Sequence, residues 1–203
     1  MAIGDAYSTA EQYRLALDPS RTDDGNDSDI LTDLKAVSRY LENKIGRFFN
    51  KDAADVARIY VAPATKTSIW IDDLSAAPTS IKVDHNLDGV YETELEATDY
   101  ELWPLNAAKG PEARPYTKVC LAPWGTLSSF YEGDRIEITG KFGWPAVPEA
   151  IQRATIQLTA IPRLETPRAT QRIPELSEVI GASPEAQRIV YALIDGYKRV
   201  RYI

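Results

Sequence analysis

Asp84-His85-Asn86-Leu87-Asp88-Gly89 is the run of residues here whose types and spacing best match a known chemistry. Oxygen ligands at alternate positions on a tight turn suit a hard cation, and a glycine permits the sharp bend. The run therefore matches the first half of a calcium loop, with Asp84, Asn86 and Asp88 as ligands. The second half does not follow. The position that should carry a closing acid is Leu95, and the flanks, Ile81–Val83 and Val90–Tyr91, read as strands. The same residues also suit a β-hairpin turn, where Asp and Gly tolerate positive φ. The hairpin is the simpler reading, and on it no metal and no cofactor is expected.

Other chemistries find less support. The single histidine, His85, lies in a polar turn, and there is no Gly-x-Ser-x-Gly elbow for a nucleophilic triad. No phosphate-binding loop, dinucleotide glycine fingerprint or Cys/His zinc spacing occurs. Carboxylates are plentiful, but no spacing singles out an acid–base pair. The lone cysteine excludes an internal disulfide, and Thr117-Lys-Val-Cys120-Leu reads as a buried strand position. Trp70, Trp103, Trp124 and Trp144 would make either a sugar-binding platform or, as expected here, rings that close a small core. No catalytic residue is assigned and no enzyme is expected.

The elements that must carry these residues change character along the chain. Ser8-Thr-Ala-Glu11 has capping-box spacing and predicts a helix over residues 9–17, stopped at Asp18-Pro19. A polar loop over 18–29 follows. Ile30, Leu34, Val37, Leu41, Ile45 and Phe48 then recur at helical steps and predict a core helix over 28–48. Residues 50–142 read as about seven short strands separated by turns, a small sandwich or open barrel inserted between helices. Ile151, Ala154, Leu158 and Ile161 predict a third helix that Pro162 should end or kink. Residues 163–182 read as an extended arm. Ser183-Pro184-Glu185 starts a last helix, with Ala186, Ile189, Val190, Leu193, Ile194 and Tyr197 on its apolar stripe. The expected class is α+β: a bundle of about four helices with an inserted, mostly antiparallel β subdomain. Its parts are residues 1–49, 50–142 and 143–203.

The bulk numbers suit a globular chain, 44% hydrophobic and 26% charged. No apolar run approaches the length of a membrane span, and the N-terminus lacks a signal-peptide pattern. The formal charge of −7 is uneven: residues 148–203 carry eight Lys/Arg and six Asp/Glu, so residues 1–147 are at −9. An acidic body argues against gripping nucleic acid, which needs clustered cations. A conduit wall that lets DNA slide would also be acidic, but from the charge alone a soluble surface is the simpler reading. The basic end, Tyr197-Lys198-Arg199-Val200-Arg201-Tyr202, reads either as a solvated helix end or as a docking tail with aromatic and arginine anchors.

Residues 134–154 tie these parts together. Ile136, Ile138 and Phe142 alternate with charged residues as in a strand. The chain then turns at Gly143-Trp144-Pro145 and opens a helix at Pro148-Glu149-Ala150. Strand, Gly-x-Phe-Gly-Trp turn and proline-started helix resemble the head-to-tail connector family of tailed bacteriophages, also called adaptors or head-completion proteins. Asp99-Tyr-Glu-Leu102, Arg114-Pro-Tyr116 and the Asp84–Tyr91 hairpin resemble that family's insertion, and the order of elements resembles its layout.

The resemblance implies a structural virion protein without catalysis, made in the bacterial host cytoplasm and located in the neck between capsid and tail. It implies a homo-oligomeric ring of about twelve subunits with head-to-tail contacts. That ring sits on the portal after DNA packaging, extends the DNA channel without binding DNA specifically, and receives the stopper or tail. No membrane is involved. It further implies that the C-terminal residues Tyr197, Lys198, Arg199, Val200, Arg201, Tyr202 and Ile203 contact the portal. The arm over 163–182 would lie between neighbours or reach the next ring. A stopper or tail-completion ring protein is the alternative within this class. A carbohydrate-binding β module is the alternative outside it.

Overall fold

The computed structural model describes residues 4–20, 25–107, 109, 112–164 and 184–198. By their contacts these fall into two units. One comprises residues up to Phe49 and from Val147 onward, and the other is Asn50–Ala146. Residues 143–146, expected to open the C-terminal part, group with the second unit. The described residues hold four helices and two antiparallel sheets, an α+β chain. Most of the expected arm, residues 165–182, and the tail beyond Lys198 lie outside the described residues.

All four helices belong to the first unit. α1 spans Ala10–Leu17 and is capped one residue later than expected. Thr9 Oγ1 accepts from the Gln12 amide (3.1 Å), and Gln12 Oε1 accepts from the Thr9 amide (2.9 Å), closing the box reciprocally. Ser8 instead donates to the carbonyl of Gln152 at 3.0 Å. α2 spans Asp27–Ile45, and Gly46, at φ 74°, ends it in the left-handed conformation before Phe48 is reached. Phe48 is consequently 50% exposed, and its neighbour Phe49 is fully buried in its place.

Ile30, Leu34, Leu41 and Ile45 are buried as the stripe predicts. Val37 gives its inner place to Ser38, whose hydroxyl donates to the Leu34 carbonyl (2.7 Å) and accepts from the Tyr7 amide (3.0 Å). α3 spans Glu149–Leu164 and runs through Pro162. So near a helix end the missing amide removes one bond and leaves little helix beyond it to break. Its buried side includes Thr155 and Thr159, whose hydroxyls return to the carbonyls of Ile151 and Thr155, both at 2.8 Å. α4 spans Pro184–Asp195 and buries Val190 and Ile194. α2 packs against α1 and α3, and α3 against α4.

The seven strands are β1 (Val56–Val61), β2 (Ser68–Leu74), β3 (Ser80–Asp84), β4 (Thr93–Leu95), β5 (Tyr100–Trp103), β6 (Tyr116–Leu121) and β7 (Arg135–Gly140). One sheet has the order β1-β7-β3-β4 and the other β2-β6-β5, all neighbours antiparallel. Side chains that alternate inward from both sheets share one core. Ile81, Val83, Ile136 and Ile138 come from the first, and Ile69, Ile71, Val119 and Leu121 from the second, with Phe130 and Phe142 between strands. The unit is therefore a small sandwich. Bridges Lys66↔Phe130 and Leu74↔Phe142 partly close one side of it. On that side Arg58 of β1 pairs with Asp72 of β2 (3.0 Å) and stacks over Phe142, 4.1 Å from its centroid.

Candidate functional site

The Asp84 turn folds as a hairpin, with β3 and β4 paired across it. Asp84, buried at the end of β3, accepts the Leu87 amide on one carboxylate oxygen (2.7 Å) and the Gly89 amide on the other (3.1 Å). Asn86 accepts from the Asp88 amide (3.0 Å), and Asp88 from the Val90 amide (2.7 Å). Leu87 and Gly89 have φ of 62° and 88°, the positive values such a turn demands. The oxygens that could ligate a cation hold their own backbone. Carboxylates of Asp84, Asp88 and Glu92 approach within 4.8 Å of one another, so Glu92 joins the two acids of the turn. Glu92 stands at position 9 of the calcium-loop spacing, beyond the first-half pattern that singled out the turn. His85 is tied down separately, Nδ1 to Asp134 at 2.9 Å.

Three of the four tryptophans contradict the expectation of core closure. Only Trp144 is buried, its indole N–H donating to Asp73 at 3.2 Å. Trp70, Trp103 and Trp124 are 56%, 43% and 73% exposed. Register explains the first two. Ile69 and Ile71 of β2 and Leu102 of β5 belong to the core, so their strand neighbours Trp70 and Trp103 must face out. Lys118 of β6 pairs with both, and its ammonium stands 5.4 Å from the Trp70 ring. The outer face of the three-stranded sheet thus carries a row Trp70–Lys118–Trp103, with Glu101 and Cys120 paired in the adjoining row.

Cys120 is half-buried on this face rather than buried in the core. Partial burial pushes its thiol pKa up and so disfavours the thiolate, against the opposing charge of the nearby Lys118. Trp124 stands on a turn that Asp99 pins. The Asp99 carboxylate accepts the amides of Glu96 (2.9 Å) and Thr126 (3.0 Å) and the Thr126 hydroxyl (3.0 Å). The two amide bonds and the hydroxyl bond hold its pKa below the usual aspartate value.

The other sheet also exposes apolar residues. β1 is an edge strand, and Ile59 and Val61 on its outer side are 58% and 60% exposed. Across the register they neighbour Glu137 and Arg135 of β7. Strand propensity alone could not have placed these residues, because β1 has no central position to be buried in.

Of the C-terminal residues, Tyr197 and Lys198 are described. Tyr197 sits in the turn after α4, its ring edge-on to Phe49 at 5.8 Å, and its carbonyl accepts from Arg47 at 3.5 Å. Phe49 in turn meets Tyr7 edge-on at 5.6 Å. Lys198 is exposed and pairs with Asp195 at 2.5 Å. The structure therefore anchors the root of the tail.

No protein-family model and no curated protein sequence matches the chain. Two solved structures do share its fold over its whole length. A chain of the neck of an empty GTA particle, computed with C6 symmetry, is 20% identical, with coverage of 100% of this chain and 98% of that chain and a TM-score of 0.58. A chain of the neck of a native GTA particle, computed with C12 symmetry, is 19% identical at the same coverage, with a TM-score of 0.50. The chain thus has a fold found in the necks of phage-like particles, as its resemblance to head-to-tail connectors led us to expect.

Proposed function

We propose that this protein is a head-to-tail adaptor. It forms a ring on the portal vertex after DNA packaging, extends the DNA channel and gives the stopper or tail its docking site. The observation that carries the reading is the fold shared with neck chains over the full length of both partners, in particles solved with sixfold and twelvefold symmetry. The long helices α2 and α3, read as parts of one bundle, favour an adaptor over a β-dominated stopper. The acidic composition of residues 1–147 supports a channel wall that does not retain DNA. No catalytic step is assigned. The C-terminal residues Tyr197 to Ile203 are proposed to contact the portal.

The test mixes the purified chain with the portal of the same particle and images the mixture by negative-stain electron microscopy. A new ring of density at the narrow end of the portal is expected. A bare portal in the presence of folded chain refutes the adaptor role. Deleting residues 198–203 is expected to abolish portal binding at unchanged thermal stability. The exposed tryptophan row favours one second reading, a carbohydrate-binding module, for which retention on immobilised glycans is the test.

A further inference from the structure

The two outer faces of the β sandwich each expose an apolar patch that no described residue covers. On the four-stranded sheet it is Ile59 and Val61, and on the three-stranded sheet Trp70 and Trp103, with Lys118 between them and its ammonium 5.4 Å from the Trp70 ring. Each patch also bears an exposed charge with no ion-pair partner among the described residues. Arg135 lies beside Val61, and Glu101 lies one row from Trp103. β1 does nothing to discourage a partner. It is six residues long, has no proline, and its one charge, Arg58, is turned in to Asp72.

We infer that these two faces meet in neighbouring copies: Ile59 and Val61 of one copy pack on Trp70 and Trp103 of the next, with Arg135 facing Glu101. The inference rests on the ring reading above. A ring closes only through head-to-tail contacts, which join two different patches on different sides of each subunit. This sandwich provides such a pair, on opposite faces of one rigid core, aliphatic on one side and aromatic on the other, with unpaired charges of opposite sign. Sheets meeting face to face lie about 10 Å apart, close enough for these side chains to interlock. Tryptophan and arginine are also the residue types that dominate contact energies.

Complementation tests this arrangement. One variant carries Ile59→Asp and Val61→Asp, the other Trp70→Asp and Trp103→Asp. Each is incubated alone and mixed, with and without the portal, fixed with glutaraldehyde and read by denaturing electrophoresis. The wild type is expected to give a ladder up to the ring. Each variant alone is expected to lose at least tenfold of it, and the mixture to give a 1:1 dimer and nothing larger, because each copy keeps one intact face.

A second pair removes no apolar packing. Arg135→Glu and Glu101→Arg each weaken the ladder, and both together in one chain restore it. Full ladders from both variants overturn the contact. If the tryptophan variant then fails instead to bind glycan or the next neck protein, the face belongs to that ligand. A mixture without dimer, together with a charge pair that shows no rescue, also overturns it. A wild type that stays monomeric with and without portal overturns the ring reading itself.

Discussion

Replacing Gly143 by alanine makes two demands on a backbone that can meet neither cheaply. Gly143 lies in the turn between β7 and α3 at φ 107°, and its amide donates to the Asp73 carbonyl at 2.6 Å. A Cβ there would stand 2.0 Å from the Asn50 carbonyl oxygen, 2.7 Å from Lys51 Cα and 2.8 Å from the Asn50 carbonyl carbon. All three are backbone atoms, so no rotamer change relieves the contact. The positive φ costs a side chain about 1–2 kcal/mol. Forcing packed atoms apart costs about 1–3 kcal/mol more.

Gly133 isolates the first cost. It has φ 93° in the same unit, its amide donates to the Ala62 carbonyl at 2.9 Å, and nothing lies within 4 Å of its Cβ position. Gly133→Ala is therefore expected to lose about 1–2 kcal/mol, and Gly143→Ala about 2–5 kcal/mol. All four tryptophans lie in Asn50–Ala146, so urea unfolding followed by tryptophan fluorescence reports this unit for both variants. Losses equal to within about 0.5 kcal/mol would refute the steric argument, since independent effects are separable to that level.

Tyr7→Phe removes a hydroxyl that donates to Glu42 at 2.6 Å and accepts the Phe49 amide at 3.1 Å, and is expected to cost about 1–3 kcal/mol in urea unfolding read by circular dichroism. Burial holds the Glu42 pKa above its ordinary 4.5, against the opposing bond from Tyr7 and charge of Arg39. The folded state then binds more protons than the unfolded one between those two values. Stability is expected to fall as pH rises through that window, and Glu42→Gln should flatten the slope. Asp99 has the opposite sign. Its pKa lies below the ordinary 3.8, so its contribution is present above that value and lost as pH falls through the folded pKa. Asp99→Asn should weaken this acid dependence and increase the mobility of the Trp124 turn, read as a lower fluorescence anisotropy.

Much of the secondary structure was legible because its period is local. Ile136 and Ile138 alternate and are both fully buried, and Ile30, Leu34, Leu41 and Ile45 recur at helical steps and line α2. These patterns need only neighbours along the chain. The Gly-x-Phe-Gly-Trp turn was legible for a related reason, since few residues other than glycine accept the backbone at 143.

What only the tertiary structure decided depends on partners distant in sequence. The strand order β1-β7-β3-β4 pairs residues 56–61 with 135–140, a match no local pattern encodes. One residue of phase decided that Trp70 and Trp103 face out while Ile69 and Leu102 face in, and a tryptophan's size gives no information about phase. Gly46 ended α2 one turn early and exchanged Phe48 for Phe49 in the interior. Ser38, Thr155 and Thr159 could be buried because each hydroxyl finds a carbonyl one turn back, a bond that hydrophobic periodicity cannot register. Composition and spacing thus determined the elements and their α+β order. Register and edge position, set by long-range pairing, decided which side chains this protein presents to a partner.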